Sequence, residues 1–403
     1  VIKTSYGVTK VPMKAQIQQG IAGGAAIVGS GEIIDDIARP KFGVRYHLTE
    51  DVTCAAQYEV PFSAGVAYQD DAVAYGTESA PVKTTYDSQS FTVACGYDFV
   101  LPQGKLTIFG GPKIQDMKGS FSEDLTTLAA GSADNLTVEL AGESKIGFTA
   151  GFAYSLPEIA LRASILYHNQ IDHKAKGTVS GIVPVDLSFI GVAQGTPFTT
   201  QATADTHTPQ SVAIDLQTGI AENTLFTIKL RWSEYSNLTS LDVKGGNEPI
   251  PNSDNTLLPG TAQDGSKVTF QQLAAADPSA NSLINPSVGM FQNDTFNYSF
   301  GLGRKISDQL TLGASFSGGK KLGSKDPLTP LGADATSLRL PGEASRTVAF
   351  GGEYAVIPQL KVSGGLAFTF IDAYRVETKD AAYRAEFSKT ESTSFQMGLT
   401  YEL

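Results

Sequence analysis

Few side chains in this sequence are suited to bond-making chemistry, and they are badly placed for it. Asp205, His207 and Ser211 follow one another closely, so an orienting carboxylate, a base and a nucleophile lie on one stretch of chain. A hydrolytic site is built from groups that converge from separate rigid supports, so no catalytic residue is assigned and enzyme activity is not expected. Four histidines (His47, His168, His173, His207) and two cysteines (Cys54, Cys95) show no metal-ligand spacing, so neither a metal nor a cofactor is expected. Net charge is -11, with 41 acidic and 30 basic residues and no basic cluster. A row of phosphates cannot be neutralised that way, and nucleic acid is excluded as a partner.

What remains is the chemistry of recognition. Arg45, Arg162, Lys229 and Arg231 sit on otherwise polar stripes with the carboxylate Glu59. In a pocket of low dielectric such cations attract a carboxylate far more strongly than in water. Their alternative use is internal ion pairing with Glu59, Asp98 or Asp215. The loop around Ile182, Val185, Leu187, Phe189 and Ile190 is unusually greasy. Either it forms a groove for an apolar ligand or it packs on its neighbours.

The elements that must hold these residues are strands. No apolar stretch approaches the roughly 18 residues of a membrane helix, and residues 1–10 do not read as a leader peptide. Alternation with a period of two runs instead from end to end. Phe395, Met397, Leu399, Tyr401 and Leu403 oppose Gln396, Gly398, Thr400 and Glu402, and Phe91, Val93, Cys95, Tyr97 and Phe99 oppose Thr92, Ala94, Gly96 and Asp98. The pattern predicts fourteen strands near 1–11, 39–48, 52–62, 86–99, 105–118, 145–155, 159–172, 209–219, 224–236, 294–306, 309–318, 344–356, 359–372 and 390–403. Short turns, such as Thr49-Glu50-Asp51 and Leu156-Pro157-Glu158, alternate with long polar loops.

A soluble sandwich or solenoid alternates as well, but it does not require that regular exchange of short and long connections. Fourteen antiparallel strands with short periplasmic turns and long extracellular loops read as an all-β transmembrane barrel occupying residues 1–403 as one unit. In hydrocarbon every backbone group must be paired internally, so the sheet closes, turns its greasy parity to lipid and its polar parity to a lumen. Aromatics near strand ends (Tyr46, Tyr154, Tyr167, Trp232, Tyr298, Tyr354) suit interfacial girdles. Cys54 and Cys95 share the lipid parity on neighbouring strands, which permits a disulfide or two packed thiols.

Two loop features bear on a ligand. Pro61 lies inside a strand of a closed barrel, where proline fits only at a strand start or a break, so Pro61 with Phe62 and Gly65 predicts an interruption of strand three. The loop over 119–144 carries Ser122 as a helix N-cap and Gly131 as a stop, with Leu125, Leu128 and Ala129 on one helical face.

Three stretches resemble the FadL/TodX family of outer-membrane transporters for long-chain fatty acids and other hydrophobic compounds. They are Gln57-Tyr58-Glu59-Val60-Pro61-Phe62-Ser63-Ala64-Gly65-Val66, then Leu156-Pro157-Glu158-Ile159-Ala160-Leu161-Arg162, and then Thr208-Pro209-Gln210-Ser211-Val212 leading to Gln217-Thr218-Gly219-Ile220-Ala221 and Arg231-Trp232-Ser233-Glu234-Tyr235. The resemblance implies passive uptake of fatty acids or hydrocarbons across a bacterial outer membrane, by a monomer in contact with membrane lipid and lipopolysaccharide. It implies that the loops bearing Leu125, Leu128, Ile182, Val185, Leu187, Phe189 and Ile190 capture substrate, and that Tyr58, Pro61, Phe62 and Gly65 line a lateral opening. Family members also carry an N-terminal hatch with an Asn-Pro-Ala type motif. This chain starts inside strand one, and its Asn-Pro, Asn285-Pro286, lies in a long loop, so the hatch is apparently missing. A general diffusion porin and a surface receptor or adhesin are the alternative readings.

Overall fold

The computed structural model describes residues 1–19, 27–67, 80–124, 135–183, 187–238, 240–256, 258, 262, 264–289, 293–322, 345–377 and 383–402. Its wall consists of β1 (Ile2–Lys10), β2 (Ile37–His47), β3 (Val52–Glu59, resuming as Ser63–Ala67), β4 (Ala80–Val100), β5 (Lys105–Asp124), β6 (Asn135–Leu156) and β7 (Leu161–His168, resuming as Ile171–Ile182). It continues with β8 (Pro197–Thr208, resuming as Ser211–Ala221), β9 (Thr224–Ser233, resuming as Ser240–Gly245), β10 (Thr295–Lys305), β11 (Leu310–Lys321), β12 (Ser345–Ile357), β13 (Leu360–Ile371) and β14 (Thr390–Tyr401). Each pairs antiparallel with the next, and β1 bonds both β2 (Tyr6↔Pro40) and β14 (Tyr6↔Met397), which closes the ring of fourteen.

Alternation explains the wall. Outward residues such as Phe350 (56% exposed) and Phe395 (48%) form an apolar belt, acceptable only against lipid tails. Inward positions carry Gly, Ser, Thr and charged groups. Asp98 is buried in the bore, where it accepts bonds from Lys105 Nζ at 2.6 Å and Thr107 Oγ1 at 2.5 Å. Cys54 and Cys95 stand opposite each other in the β3–β4 ladder and are disulfide-bonded, so of the two arrangements open from sequence the bridge is the one formed.

The strands at the long-loop end outrun the sequence expectation. The segment expected as a helix from Ser122 is strand up to Asp124, with Ser122 paired to Thr137. Local helical spacing yields there to the hydrogen-bond ladder of a long hairpin. Residues 125–131 lie outside the described residues.

One parity does not hold along these long strands. In β6, Gly147, Thr149 and Gly151 are buried at odd positions, but further up Leu136, Val138 and Leu140 are buried at even ones. The switch falls at Glu143-Ser144, beside a register shift between Gln115 and Met117 of β5. β7 switches at Asn169-Gln170, from inward Leu166 and His168 to buried Ile171, His173 and Ala175. β8 switches at Pro209-Gln210, from buried Thr206 and Thr208 to Ser211. An extra residue in a strand rotates everything beyond it to the other face. Three adjacent strands do so at one level, and this girdle divides the interior into a polar bore towards the short turns and an apolar upper section.

That upper section is filled. Phe121, Leu136, Val138, Val179, Ala202 and Val243 of the wall pack against Leu238, between the two halves of β9, and Leu283, in the segment inserted between β9 and β10 (residues 246–294). Above them a second core joins Leu187, Ile190 and Val192 to Ile250, Val268, Phe270, Leu273 and Ile284. Two short helices build this cap, α1 (Phe270–Ala276) and α2 (Pro278–Ile284). Thr269 and Gln272 form a reciprocal capping box at the start of α1, and Asp277 accepts from the N–H of Ala280 at 2.9 Å to start α2.

Candidate functional site

The interruption of strand three is present, and it opens towards β2. Pairing between β2 and β3 stops at Lys41↔Glu59 and resumes at Ile34↔Val66. Both pairs belong to one register, so the strands have parted without slipping. Among the described residues, the backbone bond joining the two banks between these pairs is Asp35 N–H to Gly65 O at 3.1 Å. Each bank is held by its other neighbour. Residues 37–40 stay paired with β1, while Ser88 N–H of β4 donates to Phe62 O at 2.9 Å and Phe62 N–H to Ser88 Oγ at 3.2 Å. Proline stands on both banks, Pro61 on β3 and Pro40 on β2, and neither can donate to a closing ladder. Gly65 allows the upper edge to come together, since a Cβ there would lie 2.6 Å from Asp35 Oδ2.

On the lumen side of this break lies a cavity of about 280 Å³ at the level of the girdle. Val60, Pro61 and Phe62 form one wall, and Lys113, Gln115, His168 and Arg231 face them. Glu59 accepts from Lys41 Nζ at 3.2 Å and from Gln57 Nε2 at 2.8 Å, and Arg231 Nη2 donates to Ser211 Oγ at 3.2 Å. Below it a larger bore of about 700 Å³ shares Lys41, Glu59, His168 and Arg231 and adds Asp215 and Lys229. A polar cavity therefore adjoins the unpaired stretch of the barrel wall.

A third cavity, of about 170 Å³, lies in the cap and is lined by Val183, Leu187, Phe198, Phe270, Leu273 and Ile284. The Phe198 and Phe270 rings pack with centroids 5.8 Å apart. Glu248 ties the inserted segment to β8 by accepting from Thr200 Oγ1 at 2.6 Å and from Gln201 N–H at 3.3 Å. The Thr200 hydroxyl bond holds this carboxyl below its ordinary pKa of 4.5.

The residues singled out from sequence distribute as follows. Pro61, Phe62 and Gly65 lie at the break, whereas Tyr58 sits on the outer face of the still-paired strand below it, between Phe42 and Phe91. Glu59 and Arg231 meet in the girdle cavity, Lys229 joins them in the bore below, and Arg45 and Arg162 line neither space. Leu187 and Ile190 are buried in the cap core, Ile182 is buried at the end of β7 outside both cores, and Phe189 belongs to the short 3-10 turn Ser188–Ile190. Leu125, Leu128 and Val185 lie outside the described residues. His207 and Asp205 alternate out of phase with the buried, inward Thr206 and Thr208, while Ser211 is inward and bonded to Arg231, so the three do not converge.

Sequence reasoning missed Pro40, Lys113 and Gln115. Pro40 carried the same signal as Pro61, a proline inside a strand. Nothing local marks Lys113 and Gln115, which reach the girdle only through closure of the barrel.

Residues 87–402 match the model of a family described as outer membrane protein transport protein (OMPP1/FadL/TodX). No curated protein matches in sequence. Among solved structures, a Pseudomonas aeruginosa FadL homologue superposes with a TM-score of 0.71 at 13% identity, covering 99% of this chain and 89% of that one. The P. putida toluene transporter TodX gives 0.60 at 13% identity over 100% and 90% of the two chains. The Ralstonia pickettii toluene transporter TbuX gives 0.57 at 11% over 100% and 90%. At these identities the likeness is one of fold.

Proposed function

The chain belongs to the OMPP1/FadL/TodX family of outer membrane transport proteins, and on that footing we propose that it takes up long-chain fatty acids or similar hydrophobic molecules and releases them sideways into the membrane. Its family is one of transport channels of the Gram-negative outer membrane and not of enzymes. The observation that carries the reading is the parted β2–β3 ladder. A greasy molecule gains nothing by crossing the bore into water, but a side opening lets it pass from a protein cavity into lipid while its apolar surface stays dry.

Capture is assigned to the cap, through Leu187, Ile190 and the residues around them, and exit to Pro61, Phe62 and Gly65. The apolar packing above the girdle argues against a general diffusion porin, whose constriction is charged and water-filled. A neutral hydrocarbon as cargo has its own support. The cap cavity of about 170 Å³ is close to the roughly 150 Å³ apolar cavity that admits benzene, and two structural neighbours are described as toluene transporters. A fatty acid needs the cap to loosen before it can pass.

The test is uptake of radiolabelled oleate and of toluene by cells that lack their own transporter, with planar-bilayer conductance measured in parallel. Uptake of either above the empty-vector rate, with little ion current, is the expected outcome. Steady conductance without uptake of either compound would return the chain to the porin reading.

A further inference from the structure

We infer that the outer face of the upper wall docks the phosphorylated sugars of lipopolysaccharide, through a row of lysines on β5, β7 and β9. This surface is separate from the transport path and serves whatever the cargo is. The parity switch fixes its height. Below the switch the outward residues are apolar, among them Ile114, Ile146 (74% exposed), Phe148, Ile165 and Ile214. Residues 146–156 of β6 make up about the 9–11 that a tilted strand needs to cross a bilayer, so the hydrocarbon ends at the girdle. Above the switch the same strands turn their apolar side chains inward and expose Glu139, Glu143, Lys174, Lys176, Thr203 and Asp205. This part of the wall therefore stands among lipid head groups, which on the outer surface of a Gram-negative outer membrane are those of lipopolysaccharide.

Within that layer one rung of the sheet is basic. Lys118 pairs with Ala141, Ala141 with Lys176, Lys176 with Thr203, and Thr203 with Lys244. All five residues are exposed. Strands lie about 4.8 Å apart, so the three lysines are rooted about 10 Å from one another along one line, and the small Ala141 and Thr203 between them leave the space above it open. From β5 to β9 this rung carries no carboxylate. On β4 it ends at Asp87, which accepts from Ser63 Oγ at 2.8 Å. Glu143, nearer the membrane, is shared by Lys176 at 2.8 Å and Lys145 at 3.4 Å, one carboxylate against two ammonium groups. Asp205 stands opposite Lys174 in the β7–β8 ladder. Lys118 and Lys244 have no ion-pair partner among the described residues. Like charges aligned this way repel one another, and anions seated between them relieve the repulsion. A phosphate monoester supplies both the charge and several acceptor oxygens. A lipid-anchored phosphate reaches this height with its chains already in the bilayer, which raises its local concentration far above that of a free ion.

The test titrates the full chain in detergent with three probes: rough lipopolysaccharide, the same lipopolysaccharide stripped of its phosphates, and inorganic phosphate. Wild type is expected to bind the intact glycolipid at least about tenfold more tightly than the stripped one, since each lysine near an anionic lipid surface contributes on the order of one such factor before screening. Inorganic phosphate at the same concentrations should not compete. Replacing the row together, Lys118→Gln with Lys176→Gln and Lys244→Gln, should remove the preference, and the matching triple replacement by Arg should keep it. Heat-dependent gel migration confirms that both variants still form the barrel. Equal binding of the two glycolipids by wild type, or an undiminished preference in the Gln variant, overturns the docking surface and leaves hydrophobic transport standing. Loss of the preference in the Arg variant as well overturns recognition by charge. Full competition by inorganic phosphate identifies a site for free anions and also overturns it.

Discussion

Restoring donors to both banks of the wall break should close it and stop release. Between the flanking pairs, residues 35–40 face residues 60–65, and one backbone bond spans them. Six rungs at about 3.4 Å each make an interrupted stretch roughly 20 Å long. A continuous ladder there forms about six bonds, so about five are missing. At about 1 kcal/mol net apiece, a fully closed wall is favoured by about 5 kcal/mol, a few thousandfold in population, and about sixtyfold if half the bonds form. Pro40→Val with Pro61→Val supplies the donors and a residue type that favours strands. Closure is read as slowed hydrogen exchange of the amides at 60–64, and function as initial uptake rate of labelled oleate or toluene. The expected result is protected amides with uptake reduced at least tenfold. Protected amides with an unchanged rate would refute the reasoning, because cargo would then be leaving by another route.

Two further outcomes follow from the stapled rung and from the cap. Replacing Cys54 and Cys95 together by Ser opens a loop with a separation of 41 residues, which in the chain-entropy account lowers stability by up to about 4 kcal/mol. Urea unfolding of the lipid-refolded barrel measures it, and an unaltered midpoint would contradict the bridge. Glu248 has a depressed folded pKa. Its contribution is therefore full above the ordinary carboxylate value of 4.5 and is lost as pH falls through the lower folded value. Protease cutting within the inserted segment should rise in that acid range, and Glu248→Gln should remove the pH dependence while leaving the barrel intact.

How much of the site was legible depends on whether its signal was local. Pro61 announced the break because a proline inside a closed sheet conflicts with the ladder at that very residue, and Pro40 carried the same conflict unread. The greasy run of Ile182, Leu187 and Ile190 was visible, but whether it faced a ligand or its neighbours was not. The partners that bury Leu187 and Ile190, namely Ile250, Phe270 and Leu273, lie far along the chain in a segment of unremarkable composition. The Ser122 helix signal was overruled because β5 and β6 continue to pair past the point where their alternation fades.

Alternation and turn lengths by themselves determined the closed sheet, its strand count and the lipid-facing side, because membrane solvation leaves a chain so patterned no other way to satisfy its backbone. Three matters were settled only in three dimensions. The bond between Cys54 and Cys95 depended on strand register, which a single parity cannot supply. The parity switch at Glu143, Asn169 and Pro209 depended on neighbouring strands rotating together, so that side chains reading as outward in sequence fill the interior. The meeting of Glu59, Lys113, Gln115, His168 and Arg231 around one cavity depended on closure, which brings strands far apart in the chain to face each other across a bore a few side chains wide.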